Sequence, residues 1–339
     1  LLDFQKYFFT VSKNKRYAGI FSFDSNNAMK VMVFDSKTME VKWANTYAFD
    51  FSYVRRDFRE IQLSDDGGGV LVFQRNEFTL GKPDESIEAF YMDPTSGAIT
   101  HIVVPFGDKY IIDYKLEYDN TNSRLVIAGL YGDKSRSRAD GYFMMVNGQL
   151  KFAEFDASLF QELEKNNKRK VSFLENYVVA DIIVREDGGI LLVSEMRREF
   201  SRKSNMIEGR RQSFDVRAYV DYYHEDLVIF AIHPDGQLHW QEVLRKRQFS
   251  QDDGGYYSSY FVFKSPNELR FIFNDEIKQD NTVSEYIINP IGDNERNIVM
   301  NTEYQKLKLR FREAIQISSR DFIVPSERNS KFNLVKVSF

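Results

Sequence analysis

Arg59–Gln74 reads REIQLSDDGGGVLVFQ, and the same order of residue types returns at Asp181–Glu195 as DIIVREDGGILLVSE. Each copy has a short alternating run, a turn of Asp and Gly, and an aliphatic run that ends at a polar or charged residue. Ile61 and Leu63 alternate with Gln62 and Ser64, the two-residue period of a strand with one buried face. Val70–Phe73 is continuously apolar, as a strand buried on both faces would be. Asp66-Gly67 and Asp187-Gly188 supply the positive φ that a tight hairpin turn demands. The unit is a β-hairpin, and its recurrence makes the chain a repeat array.

Working outward, Tyr7–Val11 with Tyr17–Phe23 and Met29–Phe34 with Val41–Tyr47 form two hairpins within about 45 residues, the size of one propeller blade. The second copy closes through Ile87–Met92 and Ala98–Val104 around Asp93–Gly97, a turn with Pro and Gly where turn chemistry puts them. Later copies hold Tyr114–Tyr118, Leu125–Gly129 and Tyr142–Val146, the last followed by Asn147-Gly148. Next come Asp181–Glu195, Leu227–Ile232 and Leu238–Val243, then Tyr260–Lys264, Leu269–Phe273 and Tyr286–Asn289. The sixth copy offers three strands only, Ala314–Ile317, Phe322–Val324 and Phe332–Val337. Opening strands recur at intervals of about 54 residues, stretched twice by insertions. The expected fold is all-β, residues 1–339 forming a single β-propeller of about six four-stranded blades, with five or seven as the neighbouring counts and a short helical insertion. A β-sandwich or stacked barrels would not generate six similar units. Closure is expected from Leu1–Phe4 pairing beside Phe332–Val337, or from residues preceding Leu1.

The first insertion, residues 154–176, carries an N-cap candidate Ser158 before Leu159, Phe160 and Leu163 at helical spacing. The second, residues 197–216, is basic, lacks apolar periodicity and reads as a long loop. Arg197, Arg198, Arg202, Lys203, Arg210 and Arg211 concentrate positive charge there, on a chain of net charge -4, and are the candidate partner-binding residues. The overall acidity weighs against nucleic acid as a partner. No apolar run approaches the roughly 20 residues of a membrane-spanning helix, so a membrane-spanning chain is not expected. The opening LLDFQKYFF lacks a basic segment followed by an apolar one, so a signal peptide is expected either to have been removed or never to have been present. With no Cys, neither a disulfide framework nor a thiolate site is available.

Catalytic signatures are sparse. His101, His224, His233 and His239 are the only histidines, and His233 and His239 flank a turn where opposing strands can approach, so a metal site with His224 is the sharpest option. Turn histidines beside Pro and Gly are commonplace, however, and no Cys or well-spaced carboxylate completes a ligand set. Asp65-Asp66 and Asp252-Asp253 invite a glycosidase reading, but adjacent strand residues point to opposite faces and their ordinary role is in turns. Gly67-Gly68-Gly69 precedes no helix and is not a phosphate cradle. No catalytic residue, cofactor or metal is therefore expected, and a carbohydrate- or peptide-processing propeller enzyme is the alternative reading.

Lys37–Trp43 (KTMEVKW) and Asp235–Trp240 (DGQLHW) share a turn, an apolar residue and a Trp two positions later, which resembles the blade endings of quinoprotein-like propellers. By burial preference alone, Trp43 and Trp240 should pack between neighbouring blades. Tyr222–Asp275, above all the string DDGGYYSSY at Asp252–Tyr260, is similar to a family of exported β-propeller proteins of the Bacteroidota cell envelope, and Asp181–Glu195 and Val31–Trp43 fit the same family. With that family the resemblance groups the plug subunit of the type IX secretion translocon, a periplasmic protein at the inner mouth of a large outer-membrane barrel. The resemblance implies a non-enzymatic binding or scaffold propeller, periplasmic and outer-membrane associated, with an outer-membrane barrel protein or translocon subunit as partner.

Overall fold

The computed structural model describes residues 7–23, 28–49, 58–79, 82–165, 170–203, 218–275, 277, 282–302, 307–328 and 331–339. Six antiparallel sheets follow one another along the chain. Sheet 1 is β1 (Tyr7–Val11), β2 (Tyr17–Phe23), β3 (Ala28–Asp35) and β4 (Val41–Ala48). Sheet 2 is β5 (Phe58–Leu63), β6 (Gly69–Thr79), β7 (Lys82–Met92) and β8 (Ile99–Pro105). Sheet 3 contains β9 (Tyr110–Asp119), β10 (Arg124–Gly132), β12 (Gly141–Val146) and β13 (Gln149–Glu154), with β11 (Arg138–Ala139) beside it. After helix α1 (Ala157–Glu164) and β14 (Leu174–Glu175, paired with β11), sheet 4 is β15 (Tyr177–Val184), β16 (Ile190–Lys203), β17 (Ala218–Ile232) and β18 (Leu238–Leu244). A fifth strand, β19 (Gln248–Gln251), pairs with the first half of β17. Sheet 5 is β20 (Phe261–Lys264), β21 (Leu269–Asn274), β22 (Thr282–Ile288) and β23 (Asn294–Asn301). Sheet 6 has three strands, β24 (Ile315–Gln316), β25 (Asp321–Arg328) and β26 (Lys331–Ser338). The first strands of neighbouring sheets lie against one another, β1 by β5, β5 by β9 and β9 by β15, as in a propeller with its first strands innermost.

The hairpin grammar explains each sheet. Gly67 and Gly188 alone carry the positive φ of their turns, while Asp66 and Asp187 turn the chain by accepting from the amides of Gly68 (3.0 Å) and Gly189 (2.9 Å). The doubly apolar second strands are buried on both sides because each sheet is sandwiched: Leu71 and Phe73 pack toward sheet 1, Val70 and Val72 toward sheet 3. Five seams of this kind join the six sheets in sequence.

Trp43 and Trp240 do pack between blades, by one shared device. The Trp43 indole donates to the Gly67 carbonyl (2.9 Å) and lies over Gly97 in the next sheet's outer turn. Trp240 donates to the Pro290 carbonyl (3.1 Å) and lies over Gly292 in the corresponding turn of sheet 5. A Cβ on Gly97 would sit 2.5 Å from the Trp43 ring.

Three expectations are corrected. Helix α1 is capped by Asp156, whose carboxylate accepts from the Ser158 amide (2.7 Å); Ser158 lies in the first turn because the extended backbone needed at a cap falls on Asp156. The stretch read as a loop from 197 is strand through Lys203, and strand resumes at Ala218, since Arg198 and Arg202 pair with Glu225 and Asp221 on the facing strand and need no apolar alternation. Sheet 4 gains β19, a strand too short and polar to announce itself. The expected closing strand Leu1–Phe4 lies outside the described residues, and among the described residues none of the five hydrophobic clusters joins sheet 6 to sheet 1. Phe9 of β1 is 73% exposed and Leu334 of β26 is 65% exposed, each on the face turned away from its sheet's one seam. Gly97→Ala should destabilise the protein by about 2–4 kcal/mol, because it combines a positive φ with overpacking against a ring. Thermal melts should show most of that loss gone in a Trp43→Ala background, where the ring is absent.

Candidate functional site

The polar residue that ends each aliphatic run turns inward. The sixth residue of the second strand is Ser22 in sheet 1, Gln74 in sheet 2, Glu195 in sheet 4, Asn274 in sheet 5 and Ser326 in sheet 6, and all five are buried. Segments that lead into first strands pass this end of the sheets, with backbone groups that no ladder satisfies. Asn274 donates to the carbonyls of Tyr257 (2.9 Å) and Leu309 (2.8 Å), and Ser326 accepts from the amide of Lys308 (2.9 Å).

In sheet 4 this position becomes an ionic cluster. Leu191, Val193 and Glu195 share the face of β16 that meets sheet 5, so the alternation that builds the seam also carries a carboxylate into it. Lys246, in the connection from β18 to β19, places its ammonium 2.6 Å from Glu195 Oε1, and both side chains are essentially excluded from solvent. The Arg197 Nε lies 2.5 Å from Glu195 Oε2, the Ser259 hydroxyl donates to it at 2.8 Å, and His224 Nδ1 lies 3.5 Å away. Gln248 completes the frame, accepting from Lys246 and from the Ser259 amide while donating to the carbonyls of Ser259 and Asn274. The string Asp252–Tyr260 wraps over the cluster with positive φ at Asp252, Gly254, Gly255 and Ser259. Gly255 leaves no room for a large side chain beside the His224 ring.

Burial alone would raise the Glu195 carboxyl, but Lys246, the His224 hydrogen bond and Arg197 outweigh it and hold it well below its ordinary value of 4.5. Burial lowers His224 below its ordinary 6.5, against the pull of Glu195. Lys246 is likewise lowered by burial, with Glu195 opposing.

The six bases proposed from sequence separate. Arg197 turns into the seam, Arg198 pairs with Glu225, and Arg202 pairs with Asp221 across the β16–β17 ribbon. Lys203 ends β16, while Arg210 and Arg211 lie outside the described residues. The histidines do not assemble. His233 and His239 meet at 4.5 Å between ring centres, but His224 lies about 30 Å back along β17 at ~3.3 Å per residue. His101 stacks on Phe90 and contacts Glu88 at 2.9 Å. Among the described residues no three His, Asp or Glu side chains group as metal ligands. The paired acids serve turns: Asp65 accepts from the Asn14 amide, Asp252 from the Val220 amide and Asp253 from the Gly255 amide. The sequence reading missed Lys246, Gln248 and Ser259, for which the polar end of the Asp181–Glu195 run was the available signal.

No family model matches the chain, and the search of curated proteins returns no significant match. Solved structures do align. The Nup133 β-propeller domain of Vanderwaltozyma polyspora matches at 11% identity and a TM-score of 0.46, covering 99% of this chain and 82% of that one. A putative 6-phosphogluconolactonase from Bacteroides uniformis matches at 12% identity and 0.39, covering 97% and 84%. The β-propeller domain of the Trilobed protease from Pyrococcus furiosus matches at 11% and 0.39, covering 99% and 82%. Such identities and scores leave function to be argued from this chain's own residues.

Because the folded pKa values of His224 and Glu195 are depressed, their stabilisation is full above the ordinary values of 6.5 and 4.5 and is lost as pH falls through the folded values. The melting temperature should therefore fall on acidification below about pH 6.5, and His224→Gln should flatten the upper part of that decline. Glu195→Ala, which strands a buried ammonium, should cost about 3–5 kcal/mol by chemical denaturation, whereas Glu195→Leu with Lys246→Met should cost far less.

Proposed function

We propose that the chain is a non-enzymatic docking propeller of a bacterial envelope complex, periplasmic and associated with the outer membrane, where it closes the inner mouth of a protein-secretion barrel. The observation that carries the docking reading is the β16–β17 ribbon. Beyond the pairs Ile190–Glu195 with Leu227–Ile232, the two strands continue through seven further register pairs, Arg197–Lys203 against Ala218–His224. Four of these pairs are flanked by β19, and the last three, Ser201–Lys203 against Ala218–Val220, run past it as a short arm on which recognition residues sit. Its ion pairs hold the two strands together, so the arm is preorganised and little ordering is lost on contact. The envelope setting comes from the resemblance of Tyr222–Asp275 to exported Bacteroidota propellers, a segment that spans β17, β18, β19 and sheet 5 as far as Asp275. A plug must be rigid, wide and releasable, and a disc of sheets faced with polar turns meets that need. Among the described residues no helix is long and apolar enough to cross a membrane, which says nothing of β-barrels.

Reversing Arg197, Arg198 or Arg202 would break the sheet's own ion pairs, so the informative variant is Lys203→Glu, Arg210→Glu, Arg211→Glu. The intact protein should retain an outer-membrane barrel from mildly solubilised Bacteroidota envelopes, and the variant should retain it less, with a shallower salt dependence. The triple substitution of His101, His233 and His239 by Gln should change nothing. Glycan or peptide turnover by the isolated chain, abolished in that variant, would overturn the reading in favour of an enzyme.

A further inference from the structure

Between the first strands lies a cavity of about 430 Å³ whose lining draws on three sheets and the turn that leads into a fourth. Lys115 comes from β9, Asp181 from β15, Arg197 from β16, Lys264 from β20, and Arg312 from the turn of 3-10 helix Phe311–Glu313 that leads into sheet 6. Four cations thus face one carboxylate, in a chain whose net charge is -4. Elsewhere the inward-leaning bases are matched with acids: Arg124 with Asp119, Arg245 with Asp226, Arg270 with Glu285. Here Lys115, Lys264 and Arg312 are exposed to the cavity side of the protein and have no acid within ion-pair distance among the described residues. Arg197 is fixed in place from behind by Glu195. The Tyr260 ring also lines the cavity, while its buried hydroxyl lies within electrostatic reach first of Glu195 and then of Asp181 and Arg197.

We propose that this cavity binds a small multivalent oxyanion, a solute bearing carboxylate or phosphoryl groups. Lys115, Lys264 and Arg312 supply charge from three directions and Arg197 a fixed guanidinium. The volume suits a small molecule. Asp181 sets the selectivity: its Oδ1 accepts from the Ile182 amide at 2.9 Å, so a monoanion meets a partly compensated site and a polyanion gains most. Burial pushes the Asp181 carboxyl upward against Lys264 and Lys115, and proton uptake there favours the anion further. Since the cations belong to different sheets, an occupied cavity ties those sheets together and stabilises the fold by mass action.

The test titrates the full chain with citrate and with inorganic phosphate at ionic strength held constant by sodium chloride, read by calorimetry and by melting temperature. A single site is expected, with a rise in melting temperature that chloride does not reproduce. Lys115→Met with Lys264→Met, and separately Arg312→Gln, should each weaken binding about tenfold or more, as loss of a charge-assisted contact does. Arg247→Gln, at a side chain 87% exposed and outside the cavity, should bind as the parent does. Tighter citrate marks a carboxylate ligand and tighter phosphate a phosphoryl one. Absence of binding by both anions, or equal weakening in Arg247→Gln, would overturn the proposal, whatever the outcome of the barrel experiment.

Discussion

A sheet that is apolar on both faces cannot stand alone, and that requirement organises this molecule. Second strands such as Val70–Phe73 and Leu125–Leu130 bury side chains to the left and to the right, so sheets 2 and 3 each depend on a neighbour at both faces. The seam between sheets 1 and 2 is rich in aromatic side chains: Phe21, Phe23, Phe58, Phe73 and Phe90 form one edge-to-face chain there. The tryptophan seats refine the same contact. At two seams a ring from one sheet's last strand is received by a glycine in the next sheet's outer turn, Trp43 by Gly97 and Trp240 by Gly292.

Burial on this scale creates a polar problem at one end of the sheets, where segments pass from one blade to the next. The buried residues at the ends of the second strands answer it with side-chain amides and hydroxyls. In sheet 4 the answer is ionic, and there physics cuts both ways. A desolvated Glu–Lys pair contributes little net stability compared with apolar residues of like size, but either partner alone is severely destabilising. What the cluster specifies is geometry: Glu195 gathers β16, the β18–β19 connection and the Asp252–Tyr260 string at one point.

How much of this could be read beforehand follows from the range of each interaction. The hairpins were visible because Asp-Gly turns and period-two runs are local, and the first strands begin at Tyr7, Phe58, Tyr110, Tyr177, Phe261 and Ile315, close to the expected starts. The packing of Trp43 and Trp240 was visible because aromatic burial is a strong preference. The ribbon was not, since Arg198 and Arg202 make a polar strand whose partners, Glu225 and Asp221, lie beyond a long connection. β23, whose sequence NERNIVMN is mostly exposed, had no buried face to betray it. The buried cluster was the least legible part. Ser259 meets Glu195 across 64 residues of chain, and nothing in the spacing of either announces the other.

Among the described residues, sheets 2 to 5 are each packed from two sides and sheets 1 and 6 from one, so the stability of any one sheet is shared with its neighbours along the chain. The amides of β10 and β16 sit in strands covered on both faces, so their exchange calls for parting two seams at once. A lesion in the Glu195 seam therefore reaches sheets 4 and 5 together.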